Sequence, residues 1–401
     1  VSRYRLYPSA EQEKVLLEHC AHARFVWNLG NEQRLMYRPG RGRTPDWYEQ
    51  SRQLTEAREA ELWLAAGSAI VQQQALRDLD HAWQMFFAGK HRRPGWRKQR
   101  HHEGFRIIGR RGRRSGCAWE AERLSRHWGR VKIPKVGWVR FRWSRAVPAE
   151  AKSYRVKRDP SGRWHVAFAV IPKPIPGPGS GDVVGIDLGV KITAALSNGA
   201  RLHCPTMTAR ERAGIRKAQR RAARAPKDSA ARDAEYVRKA RLFARDADRR
   251  KDWAEKASTD IARRFDVIRV EDLQITNLVA KPKPKPDPDR PGAFLPNGAS
   301  RKAGLNRVIH AQGWGFLIRR LAHKASGRVE KVNPAFTSLR CSDCGWVDKD
   351  SRKSQAEYVC TNCSFTCNAD LNAALNIAAG HAGGTVRPSP PSVREPLKGA
   401  A

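Results

Sequence analysis

Apolar positions along this chain change period several times, and the changes predict its elements. Residues 3–7 alternate as a short strand. Pro8-Ser9 then opens a helix, with Ser9 and Gln12 at capping-box spacing and Leu16, Cys20, Ala23 and Trp27 at helical intervals. Leu76, Leu79, Trp83 and Phe86 mark a second helix over about 68–87. Beyond it, Val139, Phe141 and Trp143 alternate with Arg140 and Arg142, the pattern of a strand with one apolar and one cationic face. Residues 153–158 and 164–170 flank the turn sequence Asp159-Pro-Ser-Gly162 and read as a hairpin. The expected plan is a small β-barrel from 1–8 and 104–175, with a helical lobe, 9–103, inserted after its first strand.

A Pro- and Gly-rich stretch from Pro172 to Gly181 marks a linker, set at 176–182. Past it the pattern predicts a buried strand over 183–189, a hairpin through Asn198-Gly199, and two charged antiparallel helices within 208–264, broken at Pro226. A second buried strand, 265–270, runs into Glu271. The Pro- and Lys-rich stretch 279–302 reads as a mobile loop. A helix over 313–325, a strand over 329–332 and a helix beginning near Asp370 follow, and residues 381–401 read as a disordered tail. The fold class is α+β, multidomain.

Charge narrows the function. Lys and Arg total 77 against 39 Asp and Glu, a formal net charge of +38, which calls for a polyanionic partner. The basic residues spread over the whole chain, unlike those of a membrane-surface helix. No apolar run is long enough to span a bilayer, and the first residues lack the apolar core of a signal peptide. A bacterial or archaeal cytoplasm, in association with the nucleoid, is the expected location. Eleven of the twenty-five residues 90–114 are Lys or Arg. Arg92, Arg93, Trp96, Arg97 and Lys98, with Arg140 and Arg142, are the expected nucleic-acid contacts. Cations there would neutralise phosphates, and Trp96 and Phe105 could stack on bases. Trp138, Trp143 and Trp164 are expected in the core.

Two motifs carry chemistry. Cys341-Ser-Asp-Cys344 and Cys360-Thr-Asn-Cys363, fifteen residues apart, have the spacing of a four-cysteine zinc ribbon, placed at 339–364. Four thiolates close the coordination shell, so this Zn²⁺ is expected to be structural. Three carboxylates stand apart from it: Asp187 and Glu271 each end an apolar run, and Asp370 follows the ribbon. Strand, hairpin, helices, strand, helix and a final acidic helix is the order of a ribonuclease H-like fold, which gathers such acids into one cluster. Mg²⁺ prefers hard oxygen ligands and keeps waters and substrate phosphate as its others, so three acids suffice for two ions. Asp182, Asp272 and Asp343 are expected outside the cluster.

Gly185-Ile-Asp-Leu-Gly-Val-Lys191, Val270-Glu-Asp-Leu273, Val332-Asn-Pro-Ala-Phe-Thr-Ser338 with Cys341-Ser-Asp-Cys-Gly345, and Asn368 to Ile377 resemble the C-terminal half of TnpB proteins. Tyr4 to Ser9, Trp27-Asn28 and Pro94-Gly-Trp-Arg-Lys-Gln99 resemble the N-terminal half. The resemblance implies an RNA-guided DNA endonuclease encoded by an insertion sequence. Its barrel and helical lobe would hold a transposon-derived guide RNA on a double-stranded DNA target and read a short flanking motif. A RuvC-type domain, 183–338 and 365–380, would cut. Asp187, Glu271 and Asp370 match the family's catalytic acids and Mg²⁺ ligands, and the four cysteines match its zinc module. The alternatives are a compact type V CRISPR effector, a non-cutting RNA-guided DNA-binding repressor, and a transposase that joins DNA ends itself. No membrane or small-molecule substrate is implied.

Overall fold

The computed structural model describes residues 2–36, 44–109, 119–290 and 292–380. Cys117, the Arg-rich stretch 110–114 and the tail 381–401 lie outside them. The chain divides into two compact units, one of residues 1–172 and 210–244, the other of 173–209 and 245–401.

The first unit begins with β1 (Ser2–Tyr7) and four helices, α1 (Ala10–Leu35), α2 (Trp47–Ala60), α3 (Leu62–Ala66) and α4 (Ala69–Phe87). The Ser9 hydroxyl and Gln12 side chain form the reciprocal capping box that starts α1. Strands β2 (Gly104–Ile108), β3 (Ala121–Arg123), β4 (Trp128–Ile133), β5 (Gly137–Arg142), β6 (Ser153–Arg158) and β7 (Trp164–Phe168) follow. All seven strands form one antiparallel sheet in the order β2-β6-β7-β1-β5-β4-β3. The N-terminal strand is therefore central, and the helices are inserted after it. Along β1 the partner changes: Ser2–Arg5 pair with β7, Leu6 and Tyr7 with β5. Helices and sheet share one core, in which Leu16, Cys20, Val26 and Leu76 join Phe105, Val131, Phe141 and Phe168.

Phe105 is thus interior, 3% exposed and edge-on to His19, so it is not available for base stacking. Trp164 is buried as expected, and Trp143 is half-buried against that core. Trp138 departs from expectation: it shares the cationic face of β5, with the Arg130 guanidinium 4.5 Å from its ring centre. Strand alternation requires this, since 138, 140 and 142 have one parity and the buried Val139 and Phe141 the other.

The second unit holds β8 (Val183–Asp187), β9 (Ala194–Leu196) and β10 (Arg201–Leu202). Helices α5 (Ala209–Arg224) and α6 (Ala230–Arg264) come next, and the division between the units falls within α6. Asp246 with Arg249 and Arg250, Asp252 with Lys256, and Asp260 with Arg264 balance part of the charge of α6 along its own surface. Then come β11 (Val267–Glu271), α7 (Ile275–Leu278), the short pair β12 (Lys285–Pro286) and β13 (Phe294–Leu295), α8 (Ala299–Gln312), α9 (Trp314–Lys324) and β14 (Val329–Val332). The sheet order is β10-β9-β8-β11-β14, with β8, β11 and β14 parallel and β9 antiparallel to β8. Its core includes Val184, Ile186, Ile261, Ile268, Leu317 and Leu321.

Two sequence expectations change here. The stretch 279–302 holds a two-stranded hairpin and the start of α8. Among the residues of α8 only Ile309 and Gln312 are buried, so it has no apolar stripe that periodicity could reveal. The Gly-rich stretch before β8 is docked onto this unit: Gly179 and Gly181 donate their amide hydrogens to the Asp266 carboxylate at 3.0 and 2.7 Å, and Ile175 accepts from Arg328. The chain closes with β15 (Glu357–Val359), β16 (Thr366–Asn368) and α10 (Ala369–Ala379).

Candidate active site and metal centre

Asp187 and Glu271 end neighbouring parallel strands. Ile186 pairs with Val270, so the next residues on each strand, the two acids, leave the sheet at the same edge. Asp370 arrives from α10, which packs across β8. The approach needs Gly185, because a Cβ there would collide with the Ala374 carbonyl oxygen and the Ala378 amide nitrogen of α10. Asn368 caps the helix by accepting from the Leu371 amide, and Asp370 sits in its first turn, where the helix dipole favours a negative charge.

The electrostatics reflect the convergence. Burial and the nearby Glu271 and Asp370 charges push the Asp187 carboxyl from an ordinary 3.8 up to about 7. Glu271, 8% exposed, is also raised by burial, against a 2.6 Å hydrogen bond donated by the Thr337 hydroxyl. Three buried or half-buried carboxylates, two of which act on the charge of the third, are a donor set suited to hard divalent cations. The neighbouring acids stand elsewhere: Asp272 pairs with Lys331 at 2.6 Å, Asp182 accepts from the Ser180 hydroxyl, and Asp343 lies against Cys363.

Sulfur atoms of Cys341, Cys344, Cys360 and Cys363 all lie within 4.8 Å of one another. The separation is 3.8 Å for Cys341–Cys363 and 3.6 Å for Cys344–Cys360. A tetrahedron with Zn–S bonds of about 2.3 Å has edges of about 3.8 Å, and a disulfide is about 2.05 Å, so the cluster fits zinc and not a crosslink. Each knuckle turns through a left-handed residue, Gly345 in one and Ser364 in the other. Cys367 is half-buried against the ribbon's small core and donates weakly to the Asn368 carbonyl.

Ribbon and acid site are joined by residues that the sequence motifs contain but do not flag. Asn372 accepts from the Ser342 amide at 2.9 Å and donates to the Arg340 carbonyl, while Asn376 donates to the Thr337 and Arg340 carbonyls. Both are buried. With Asn368 they form an i, i+4, i+8 stripe on α10, a polar repeat on a helix otherwise rich in Ala, Leu and Ile, and that repeat was a readable signal. Arg352, in the ribbon, reaches Asp370 at 3.5 Å and had no such signal.

The candidate nucleic-acid residues divide by environment. Arg92, Arg93 and Lys98 are exposed, and Trp96 is 48% exposed. Arg97 is turned inward, its guanidinium 3.6 Å over the ring of Trp27. Asn28 clasps the Arg97 backbone at both its amide and its carbonyl, and the Trp27 indole donates to the Gly95 carbonyl. The Trp27-Asn28 and Pro94-Gly-Trp-Arg motifs are therefore partners. Arg140 and Arg142 are exposed and lie 4.7 and 5.5 Å over Trp128.

Comparison with known proteins gives the chain its relatives. Residues 2–37 match a family model described as a helix-turn-helix domain, 165–281 one described as a probable transposase, and 314–377 one described as the Cas12f1-like TNB domain. A protein of Escherichia coli (strain K12), provisionally named RNA-guided DNA endonuclease InsQ, is 30% identical over 99% of this chain and 97% of its own length. A Streptomyces pristinaespiralis protein, provisionally named RNA-guided DNA endonuclease, is 31% identical over 98% of this chain and 93% of its own. The cryo-EM structure of a Cas12f1–sgRNA–target DNA complex superposes with a TM-score of 0.58 at 16% identity, over 92% of this chain and 83% of the other, a likeness of fold.

Proposed function

Because this chain belongs to the TnpB family, whose members include InsQ, we propose that it is an insertion-sequence RNA-guided DNA endonuclease cutting at Asp187, Glu271 and Asp370. The observation that carries the site is the convergence of these three carboxylates at one edge of the β8–β11 sheet, where burial first, and then the Glu271 and Asp370 charges, push Asp187 up to about 7. The strand order β10-β9-β8-β11-β14, with the acids at the C-terminal strand ends and on α10, supports a RuvC-like, ribonuclease H-type reading.

Two Mg²⁺ ions held by these carboxylates would stabilise the attacking and leaving oxygens of phosphodiester hydrolysis. Asp187, acted on by the charges of both other acids, would be shared between the two ions, and Glu271 and Asp370 would each hold one. Thr337 holds the Glu271 carboxylate in orientation through its hydroxyl. Zn²⁺ on the four cysteines would be structural, and would keep the segment before Asp370 in place. The antiparallel sheet of the first unit serves as a barrel-type wedge, and α1–α4 as the recognition lobe. Arg92, Arg93, Trp96 and Lys98 on the loop anchored by Trp27 and Asn28, and Arg140 and Arg142 on β5, supply contacts to backbone phosphates and bases, while Arg97 secures that loop. Base pairing by a guide RNA would carry sequence specificity on the double-stranded DNA target.

The test is purification without nuclease treatment, sequencing of the co-purified RNA, and cleavage of a matching DNA with and without Mg²⁺. Asp187→Ala is expected to lower cleavage about 10²–10³-fold while retaining RNA, the range for removing a main electrostatic element. Equal cutting by that variant removes Asp187 from the mechanism, and absence of bound RNA removes the guided reading.

A further inference from the structure

Arg352 lies between the two zinc knuckles, outside every motif the sequence offered. Its Nη2 stands 3.5 Å from Asp370 Oδ1, and its charge also acts on Asp187, opposing the push from the two other acids. The side chains of Arg352 and Asp370 are 26% and 13% exposed, so solvent screens the pair only in part.

Its backbone is held by the ribbon. Arg352 bridges to Tyr358, a buried residue whose hydroxyl donates to the Leu339 carbonyl two residues before Cys341. Ser351, fully buried, accepts from the Thr361 amide at 3.1 Å, and Thr361 lies inside the Cys360–Cys363 knuckle. The zinc fold therefore fixes the point from which this guanidinium reaches the acids.

We propose that Arg352 is a built-in counter-cation of the acid site. It offsets carboxylate repulsion while divalent cations are absent and yields Asp370 when they bind. This rests on the reading of the acids as the cation site. A guanidinium suits the task because it keeps its charge at any working pH and offers several donors on one plane. Removing it leaves a more negative site with two consequences: divalent cations bind more tightly, and the cation-free fold becomes less stable. A catalytic contact would have neither.

The experiment uses the full chain, freed of nucleic acid, with one zinc per chain verified in every variant. Mn²⁺ binding is titrated by electron paramagnetic resonance, and melting is recorded before and after Mn²⁺. Arg352→Met is expected to bind Mn²⁺ roughly 3–10-fold more tightly, the range of one partly screened ion pair. It should also melt about 2–4 °C lower without divalent cations and gain more from Mn²⁺, with Arg352→Lys returning both toward the parent. Parent-like or weaker Mn²⁺ binding by Arg352→Met overturns the proposal. Asp187→Ala separates the two levels. If it binds Mn²⁺ as the parent does, the acid-site reading itself fails. If it loses Mn²⁺ while Arg352→Met matches the parent, only the counter-cation role fails.

Discussion

The Asp187 carboxyl makes stability depend on pH in this protein. Asp187 holds its proton in the fold up to about 7, whereas in an unfolded chain it releases it near 3.8. The folded state therefore binds the extra proton between those values, and stability falls as pH rises through that window. Asp187→Asn should abolish that component, so the variant's melting temperature gains on the parent's from pH 4 to 7 and then runs level. In divalent-free buffer at pH 8 the advantage should be of order 2–4 kcal/mol, each tenfold change in proton affinity being worth about 1.4 kcal/mol. A difference that is constant with pH would rule this out. A second residue offers an opposite lesson. Ser364 adopts a left-handed backbone, φ 60°, at the position where the other knuckle has Gly345. Ser364→Gly should raise stability by about 1 kcal/mol, seen as a higher melting point with zinc content unchanged. The acids and cysteines were legible because each follows a strong local pattern: an apolar run ended by a charge, or a paired CxxC. Arg352 was not, because its partner lies eighteen residues away and only the folded ribbon brings the two together.

At the scale of elements, the contact of α10 with β8 decides the site. Gly185→Ala would force the helix off the strand at three backbone atoms, and overpacking of that kind costs about 3 kcal/mol or more. Poor soluble yield and loss of cleavage are expected, and wild-type melting would refute the close approach. The asparagine stripe makes a milder case. Asn376→Ala deletes the donor to the buried Thr337 carbonyl and one of two donors to the Arg340 carbonyl, which keeps Asn372, and should cost about 1–3 kcal/mol, measured by denaturant melts. The strands that end in acids, the hairpin around Asp159 and helix α10 could all be read from period and turn chemistry. Helix α8 could not, because its sequence has no apolar face and begins inside a Pro- and Lys-rich stretch. The burial of Phe105 and the exposure of the Trp138 face likewise depended on register, which a basic run conceals.

On the scale of the whole molecule, a net charge of +38 makes RNA affinity a property of the solution as much as of the protein. Guide RNA binding should weaken by several orders of magnitude between about 50 and 200 mM salt, and a flat salt profile in filter-binding measurements would contradict a phosphate-based interface. The central place of β1 acts on a different quantity, time. Its partners on β5 and β7 end at Phe168, so β1, once made, must wait for some 160 further residues before its ladder can close. At ordinary synthesis rates that interval is ~10–30 s. Through it the nascent chain carries a free strand edge and a helical module whose core is only half supplied, a topology that folds slowly because its pairing is distant in sequence. Whatever directly precedes Ser2 adjoins a central strand and not a frayed end, and the vulnerable period of this chain is the one spent leaving the ribosome.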